Sequence, residues 1–573
     1  MSESPAVGVV GGGPAAEAIR AALADDDRAA ADIDPADAGT AELAAVVAPA
    51  GDDRFAAVNA RRAGPWIAVE LGGIGGEPLG DVDAAVAVLD PGGPCYDCLT
   101  ARVRSGLEER PGGRPSIGRP DARLAGAHAG RLAVDVLSGA GRVGTVVELP
   151  YAERRLLAVP NCDCEGQRPT ALPRDVEAVA LDETVARAEA AVDERLGPVT
   201  SVGEAESFPA PYYLATLCDT VGFSDARASR QAAGLAADWN PAFVKAVGEA
   251  LERYSAGVYR ASRFEVAPAD GLDGAVPPAR FVRPDDGFDQ PDPDEPIAWL
   301  AGEALESGDR AYLPAERVVF PPPEERSGPA ITTGLGLGTS GAGALVSGLT
   351  EVVERDATML AWYSTFEPLA LSVDDDGFGK LVRRARSESL DVTALLVTQD
   401  VDVPVVAAAV HRDADWPRFA AGSGAALDPT AAARAALEEA LQNWTELRGM
   451  GPDRAAEEEP SLARYAAFPP AARAFVEVDR TVTAGSVGPD DPPAGAAALD
   501  TLIERVGAAG LDAYAARLTP RDVAAAGFEA VRVLVPAAQP LFTGERFFGE
   551  RARSVPRELG FRPRLDRPPH PYP

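Results

Sequence analysis

Short apolar runs separated by Gly-rich turns and amphipathic stretches predict alternating strands and helices in the first third of the chain. The run Ala6–Val10 precedes Gly11-Gly12-Gly13-Pro14 and a helical stretch, which predicts a strand, a tight turn and a helix. Three further apolar runs have the length of strands, with helical stretches between them: Ala44–Val47, Trp66–Glu70 and Ala84–Leu89. This alternation is typical of an α/β domain with a parallel sheet.

The next pattern predicts a domain boundary. A helix with one apolar face is predicted from Asp182 to Leu196, and Gly197-Pro198 would end it. The full chain has 573 residues, more than one core usually serves. We therefore predict a first domain over 1–175, a linker helix over 176–197 and a second domain over 198–573. The fold class is α/β and α+β, because helices and strands alternate up to the end of the chain.

The Gly-rich turn has two interpretations. Gly11, Gly13 and Ala16 fit the G-x-G-x-x-A pattern of a nucleotide-binding βα turn, and Asp32 or Asp34 lies near the position of a ribose-binding acid. Pro14, however, removes one of the backbone amides that a phosphate would use. A structural βα turn is the preferred interpretation, and dinucleotide binding is the alternative.

Charge changes this picture by excluding one class of partner. The chain has 54 basic and 88 acidic residues, a net charge of −34, and its only lysines are Lys245 and Lys380. This charge argues against nucleic-acid binding, which needs a basic surface. Such a composition resembles proteins from a salt-loaded cytoplasm of the haloarchaeal kind. We interpret the acidity as an adaptation to solvent, because salt screens the repulsion between surface carboxylates.

Targeting signals are not visible. Met1–Gly13 lacks a basic start followed by a long apolar core, and no window approaches the roughly 20 apolar residues that cross a bilayer. We expect a cytoplasmic protein without a membrane partner.

Four of the five cysteines form two close pairs, Cys95/Cys98 and Cys162/Cys164. Two such pairs supply the four thiolates of a closed, structural Zn²⁺ site. Disulfides are an alternative that a cytoplasmic location disfavours, and a redox C-x-x-C would leave the second pair unexplained. Cys218 stands alone and is interpreted as a small buried residue.

Two segments repeat the pattern E-x-x-E-R. The pattern comprises Glu249, Glu252 and Arg253 in one segment and Glu351, Glu354 and Arg355 in the other. Carboxylates three residues apart share one face of a helix, and converging carboxylates are what Mg²⁺ needs to bridge to ATP phosphates. A solvated helix face is the alternative. The mostly apolar neighbours favour burial, which carboxylates rarely tolerate without a cation.

These segments, with a third at Glu439 and Gln442 after the turn Asp428-Pro429, resemble the three motifs of the YcaO family in order and separation. The resemblance covers about 195–573 and implies the family's own ATP-binding fold. It implies that the carboxylates hold Mg²⁺ and the ATP phosphates, that the arginines balance phosphate charge, and that Gln442 contacts the nucleotide. Lys245 replaces the Ser of the first motif, and Ala232-Ala233-Gly234 replaces its Gly-Lys-Gly. Arg230 or Lys245 is therefore the candidate basic contact.

The chain closes on Pro569-His570-Pro571-Tyr572-Pro573. On composition this is a stiff Pro-rich end, which is also typical of protein-binding tails. In YcaO proteins that form azolines the same tail reaches the active site, so the resemblance implies catalytic roles for Pro569, Pro571 and Pro573. It implies cyclodehydration of Cys, Ser or Thr in a ribosomally made precursor peptide. Thioamide formation and a non-catalytic peptide-binding scaffold are the alternatives.

The first ~170 residues resemble a ThiF-like domain, because they combine a Gly-rich βα start with a C-x-x-C and a later cysteine pair. The resemblance implies a Rossmann-like, non-adenylating domain that helps to present a leader peptide. We also expect a homodimer, with a separate leader-binding protein or a dehydrogenase as a further partner.

Overall fold

A computed structural model describes residues 6–107, 117–150, 152–166, 168–176, 179–290, 292–489 and 491–573. Residues 177 and 178, within the predicted linker helix, and residues 1–5 of the predicted first domain lie outside this description. The strands of the N-terminal region are β1 (Val7–Val10), β2 (Ala30–Asp32), β3 (Leu43–Pro49), β4 (Trp66–Leu71), β5 (Gly73–Ile74), β6 (Glu77–Pro78), β7 (Ala84–Leu89), β8 (Thr145–Leu149) and β9 (Ala152–Arg155). Its helices are α1 (Pro14–Asp25), α2 (Asp53–Asn59), α3 (Tyr96–Gly106), α4 (Arg119–Leu137) and α5 (Leu181–Glu189).

The N-terminal sheet is mixed, so the prediction of a parallel sheet was wrong in part. Its order is β2-β1-β3-β4-β7-β8-β9, and only β1 to β4 run parallel to one another. The small hairpin β5–β6, in place of a predicted helix, joins β4 to β7. Without a crossover helix, β7 pairs with β4 in the antiparallel direction.

Packing explains the Gly-rich turn. Gly11 has a φ of 104°, and a Cβ there would lie 2.3 Å from the carbonyl oxygen of Val47. Gly126 on α4 faces α1 so closely that a Cβ would lie 2.1 Å from the carbonyl oxygen of Ala15. The glycine at position 11 is thus needed for a tight turn between β1 and α1.

The helix predicted over Asp182–Leu196 is shorter in the structure, where α5 ends at Glu189. Val192 forms a parallel β-bridge with Val199, which a helical backbone cannot do. The carboxylate of Asp193 accepts the backbone amides of Arg195 and Leu196 at 2.9 and 2.8 Å and so holds a turn. This local side-chain hydrogen bonding competes with continuation of the helix.

Three further sheets follow, of three, six and five strands. Their strands are β10 (Val199–Glu206), β11 (Tyr212–Leu217), β12 (Gln231–Leu235), β13 (Glu265–Ala267), β14 (Ile297–Ala304), β15 (Arg310–Pro314), β16 (Leu335–Gly338), β17 (Leu369–Ser372), β18 (Asp391–Leu396), β19 (Val405–His411), β20 (Phe419–Ala425), β21 (Thr481–Thr483), β22 (Tyr514–Arg517) and β23 (Glu529–Leu534). The orders are β10-β11-β12, β13-β14-β22-β23-β16 with β15 on β14, and β20-β19-β18-β17-β21.

The helices of this region are α6 (Trp239–Gly257), α7 (Ala315–Val318), α8 (Gly341–Trp362), α9 (Asp376–Ser387), α10 (Pro429–Met450), α11 (Pro452–Glu458), α12 (Pro460–Ala466), α13 (Pro470–Val476), α14 (Ala496–Ala508), α15 (Arg521–Ala525) and α16 (Arg551–Glu558). Helix α8 lies in the largest apolar core, among residues of the six- and five-stranded sheets. Among the described residues, none of the helices is both long and apolar enough to cross a bilayer.

Candidate active site

Helix α6 carries the first acidic pair. Ala246, Val247 and Ala250 are fully buried in an apolar core. Glu252 lies on another face of the helix, within electrostatic reach of Glu351 on α8. Glu249 forms an ion pair with Arg253 one turn later, at 2.6 Å.

Helix α8 carries the second pair and begins at a side-chain cap. Ser340 accepts the amide of Gly343 at 3.2 Å, which satisfies one free donor at the helix start. A Cβ at Gly348 would lie 2.7 Å from the carbonyl oxygen of Gly334, so a glycine is needed for this close approach. The approach lets Glu351 accept the amide of Gly334 at 2.9 Å.

Arg355 joins the second motif to the third. Its guanidinium group lies 3.5 Å from Glu354, 3.2 Å from Glu439 on α10 and 4.0 Å from Glu351. Helix α10 is oriented by its N-cap Asp428, which accepts the amide of Thr430 at 2.9 Å. The structure therefore brings Glu351, Glu354, Arg355 and Glu439 together, although Arg355 and Glu439 are 84 positions apart in the chain.

Ser423 on β20 is a site residue that sequence reasoning missed. Its amide donates to Glu439 at 2.5 Å, and its hydroxyl donates to Glu354 at 2.7 Å. It also lies 3.2 Å from Arg355. The signal was a single polar residue in a strand of small, buried residues, Phe419–Ala425.

Burial shifts the pKa values of this cluster. Burial raises the pKa of Glu354 to about 7, and the nearby Glu439 adds to the rise against the attraction of Arg355. Burial also raises the pKa of Glu351 and, with repulsion from Glu249 and Glu351, raises that of Glu252. Burial works against the charge on Arg355, but the surrounding carboxylates more than compensate and raise its pKa. Burial thus disfavours the ionised form of these carboxylates, which a bound cation would favour.

The balance of charge fits a divalent cation. Three arginines act on the carboxylates: Arg253 and Arg355 as ion-pair partners, and Arg532 of β23 through its attraction to Glu351 and Glu252. Five carboxylates face them, namely Glu249, Glu252, Glu351, Glu354 and Glu439. The carboxylates outnumber the arginines, which suits a divalent cation such as Mg²⁺, whose preferred ligands are oxygens.

Lys245 and the segment Ala232-Ala233-Gly234, which depart from the family's pattern, have different surroundings. Lys245 forms an ion pair with Glu438 and so links α6 to α10. Ala232 and Gly234 lie in β12 against α6, where a Cβ at Gly234 would lie 2.3 Å from the amide of Ala246. Arg230 is exposed just before this strand.

Gln442 faces a second polar network on α10. Its amide group donates to Glu446 at 3.1 Å, and the hydroxyl of Tyr212 donates to the same carboxylate at 3.0 Å. Burial raises the pKa of Glu446. Gln442 is thus held by its own helix one turn away from Glu439.

The tail Pro569–Pro573 packs near the end of α8, within electrostatic reach of the acidic cluster. Trp362, the last residue of α8, donates to the carbonyl oxygen of Pro568 at 2.9 Å, and Tyr465 donates to that of Pro569. His570 and Tyr572 are buried, with 2 and 1% exposure. Burial and the carboxylates of Glu439 and Glu354 raise the pKa of Tyr572, so this side chain lies within electrostatic reach of the cluster.

The four paired cysteines converge at a separate place. The sulfur atoms of Cys95, Cys98, Cys162 and Cys164 all lie within 4.8 Å of one another, and three of the pairs are 3.4 to 3.8 Å apart. A tetrahedral Zn²⁺ with Zn–S bonds of about 2.3 Å would place its sulfurs about 3.8 Å apart. Two further groups donate to the sulfurs: the Val159 amide to Cys98 at 3.3 Å and Arg521 to Cys164 at 3.2 Å.

A buried ion pair joins this place to α6. Arg102, one turn after Cys98 on α3, lies 2.7 Å from Asp522 of α15, and both side chains are fully buried. The hydroxyl of Tyr254 on α6 donates to the same carboxylate at 2.6 Å. Arg102 also donates to Cys218, at 3.3 Å, which is buried as predicted. The N-terminal region and the first acidic helix are therefore held by one network.

Comparison with known proteins agrees with this architecture. The chain is 29% identical over 342 residues to an uncharacterized protein of Methanothermobacter thermautotrophicus, covering 56% of this chain and 85% of the relative. It is 31% identical over 206 residues to an uncharacterized protein in the tfuA 3′ region of Rhizobium leguminosarum bv. trifolii, covering 31% of this chain and 48% of that protein.

Two solved structures share the fold along nearly the whole chain. One is a heterocyclase in complex with substrate and cofactor, with a TM-score of 0.74 and 20% identity over 99% of this chain and 85% of that one. The other is the heterocyclase TruD, with a TM-score of 0.66 and 20% identity over 97% and 82% of the two chains. The expected mixed α/β fold class is thereby confirmed.

The decisive match is to a family model described as YcaO cyclodehydratase, ATP- and Mg²⁺-binding, over residues 233–539. This range is more than half of the 573 residues. It contains the three acidic motifs, from Glu249 to Gln442. The chain belongs to the YcaO family of ATP-dependent, Mg²⁺-binding cyclodehydratases.

Proposed function

We propose that this enzyme forms thiazolines or oxazolines from Cys, Ser or Thr residues of a ribosomally made precursor peptide. The observation that carries the proposal is the convergence of Glu351, Glu354 and Glu439 on Arg355, within electrostatic reach of Glu252 of α6 and of Tyr572 of the tail. The tail supports ring formation over the thioamide alternative, since its Tyr572 lies within electrostatic reach of the cluster that would hold ATP.

The site residues have distinct proposed roles. Glu249, Glu252, Glu351, Glu354 and Glu439 would hold Mg²⁺, which neutralises phosphate charge when bound. Arg253 and Arg355 would bind phosphoryl oxygens, because guanidinium groups match their geometry. Gln442 would contact the nucleotide. Pro569, Pro571 and Pro573 would keep the tail extended, so that it orients the reacting peptide.

The proposed reaction conserves every group. The thiol or hydroxyl of the peptide adds to the preceding amide carbonyl and loses its proton to a base. The resulting oxygen takes the γ-phosphoryl group of ATP, which leaves ADP. Phosphate then departs with that oxygen as the amide nitrogen gives up its proton to a base and the C=N bond of the ring forms. Much of the rate would come from positioning the amide next to the phosphoryl group.

For the cysteine cluster we propose a structural Zn²⁺. Four sulfurs fill a tetrahedron, so no position is left for a substrate. The donors Val159 and Arg521 would stabilise thiolates. Zinc would then fix the loop carrying Cys162 and Cys164 to the start of α3.

We also propose the division into a ThiF-like domain over 1–175, a linker over 176–197 and a YcaO domain over 198–573. The first would present the leader peptide, alone or with a separate leader-binding protein, and a dehydrogenase would act on the product. A homodimer in the cytoplasm of a salt-loaded cell is the proposed setting. The net charge of −34 supports assays at high salt, where surface repulsion is screened.

The test is a mass measurement at high salt. Peptides with Cys, Ser or Thr, including those encoded near the gene, are incubated with the protein and MgATP. We expect the loss of one water per ring together with ATP-dependent phosphate release. A Glu351→Gln variant should lose both, while Glu367→Gln, at an exposed position, should retain both.

Adding sulfide separates the alternative chemistry. Replacement of one peptide oxygen by sulfur, without loss of water from a side chain, would identify thioamide formation and contradict the proposal. Turnover that is unaffected by Glu351→Gln would contradict the assigned site.

A further inference from the structure

Three guanidinium groups line a small cavity beside the acidic cluster. The cavity has a volume of about 60 Å³, and its lining includes Arg317, Arg355 and Arg532 together with the apolar residues Phe281 and Val352. One water needs roughly 10–15 Å³ of such volume, so about four to six waters, or one phosphate ion, would fit. Arg355 belongs to both the cavity and the acidic cluster, so the two are contiguous.

Arg532 is buried without a close counter-ion. Arg532 is only 3% exposed. Two of its guanidinium nitrogens donate to the carbonyl oxygens of Ile331 and Thr332, both at 2.8 Å. Its Nε is buried and has no hydrogen-bond partner among the described atoms. Within the described residues no carboxylate lies within 4.0 Å of its nitrogens. A buried cation of this kind needs an anion.

Arg317 also lines the cavity, and burial lowers its pKa against the attraction of Glu316 and Glu325. It donates to the hydroxyl of Ser327 at 3.0 Å, and its Nε is likewise buried without a partner among the described atoms. Glu316 also lines the cavity, but its carboxylate already accepts the amides of Arg326 and Ser327 at 2.9 and 3.0 Å and the Ser327 hydroxyl. The neighbouring acid is therefore engaged with other donors.

The acidic cluster does not supply the missing anion once a metal is bound. Burial lowers the pKa of Arg532 to about 10, against an attraction to Glu351 and Glu252. Those carboxylates are the proposed Mg²⁺ ligands, so a bound cation would cancel their attraction. The cavity would then carry three guanidinium groups next to Mg²⁺, a setting that favours a phosphate dianion.

We propose that the cavity lined by Arg317, Arg355 and Arg532 is a phosphate subsite. It takes the γ-phosphoryl group of ATP or the inorganic phosphate that the reaction releases. The proposal deepens the ATP-dependent function proposed above and rests on it. It assigns Arg317 and Arg532, which lie outside the three acidic motifs, as phosphate ligands.

Calorimetric titrations with inorganic phosphate, MgADP and MgATP test this assignment without peptide. Arg317→Gln should weaken phosphate binding about tenfold or more, the usual size of a lost charge-assisted hydrogen bond. MgADP affinity should stay within about twofold. Arg280→Gln is the matched control, because Arg280 pairs with Asp512 at the surface, outside the cavity.

The MgATP titration distinguishes the two sources of phosphate. A similar loss of MgATP affinity in Arg317→Gln means that the subsite takes the γ-phosphoryl group on the nucleotide. Unchanged MgATP affinity with lost phosphate binding means that it takes the released ion. Phosphate that binds Arg317→Gln and Arg532→Lys as tightly as the wild type, or that does not bind the wild type, overturns the proposal.

Folding and function are controlled separately. Arg532→Lys keeps the charge, and Arg317→Lys replaces Arg317→Gln if the latter does not fold. Stabilisation of the wild type by phosphate, compared with chloride at equal ionic strength, needs no variant. A wild type that binds phosphate in an arginine-dependent manner but neither nucleotide would contradict the proposed function and leave the subsite standing.

Discussion

The cysteine cluster and the acidic cluster are both buried groups of metal-ligand side chains, but they are built differently. The four cysteines come from two tight local pairs, and their number completes a tetrahedron. The acidic cluster draws its carboxylates from α6, α8 and α10. It already contains Arg355, whose guanidinium group forms ion pairs with the carboxylates of α8 and α10. A complete ligand set indicates a structural site, whereas a set that is only partly neutralised indicates a site that awaits a ligand.

The buried network of Arg102, Asp522 and Tyr254 connects the two. Cys98 lies one turn before Arg102 on α3, and Tyr254 lies two residues after Glu252 on α6. A substitution in the cysteine cluster should therefore destabilise the fold and with it the acidic cluster. A substitution in the acidic cluster should have little effect on the cysteine cluster. The following predictions test this asymmetry.

The largest effect is expected from Cys98→Ser, since Cys98 is fully buried. We expect loss of bound zinc and a fall in the free energy of unfolding of several kcal/mol, about 5 or more, because structural zinc contributes folding energy directly. Elemental analysis and thermal unfolding measure both effects. Cys218→Ala, outside the cluster, should retain zinc. Full stability of a zinc-free Cys98→Ser protein would contradict a structural role.

Next is Asp522→Asn, which leaves Arg102 buried without its partner. We expect a loss of about 3–5 kcal/mol in the free energy of unfolding. The matched variant Asp512→Asn breaks the exposed Arg280 pair and should cost less than about 1 kcal/mol. Denaturant unfolding measures the free energy of unfolding of both variants. Equal losses in the two variants would contradict a role of the buried network in connecting the two regions.

The acidic cluster should make stability depend on pH when Mg²⁺ is absent. The pKa of Glu354 is about 7 when folded against an ordinary 4.5, so between these values the folded state holds a proton that the unfolded state has lost. Stability should therefore fall as the pH rises from 4.5 to 7, by up to about 3 kcal/mol. Denaturant unfolding across this range measures the fall.

Glu354→Gln should remove this part of the pH dependence, whereas Glu367→Gln at the surface should not. Saturating Mg²⁺ should also flatten the profile of the wild type, since a bound cation favours the ionised carboxylate. If the free energy of unfolding depends on pH equally in wild type and Glu354→Gln, the raised pKa of a buried Glu354 is contradicted.

The smallest effect is expected from the two lysines. Lys245 pairs with Glu438, and Lys380 pairs with Asp238, both with partly exposed side chains. Lys245→Met and Lys380→Met should each cost less than about 1 kcal/mol of stability. Because Lys245 is held by Glu438, its loss should change MgATP affinity by less than about threefold. A larger, Lys245-specific loss would instead make it the nucleotide contact that the sequence suggested.

Local patterns predicted much of this molecule. The two E-x-x-E-R helices, the Asp428-Pro429 start of α10 and the pairing of cysteines depend on residues near one another in the chain. Ser423 and Arg532 were missed because their roles depend on packing between distant strands and α8. The direction of β7 and the early end of α5 depend on a short hairpin and on the Val192–Val199 bridge, which periodicity does not report.

The central claim is that the carboxylates around Arg355 bind MgATP, and a calorimetric titration at high salt tests it most directly. The wild type should bind MgATP at one site per chain and bind ATP much more weakly without Mg²⁺. Glu252→Gln should weaken MgATP binding at least about tenfold, with unchanged or higher stability because it removes a buried acid of raised pKa. Equal MgATP affinity in Glu252→Gln and wild type, or no binding to the wild type, would contradict the claim.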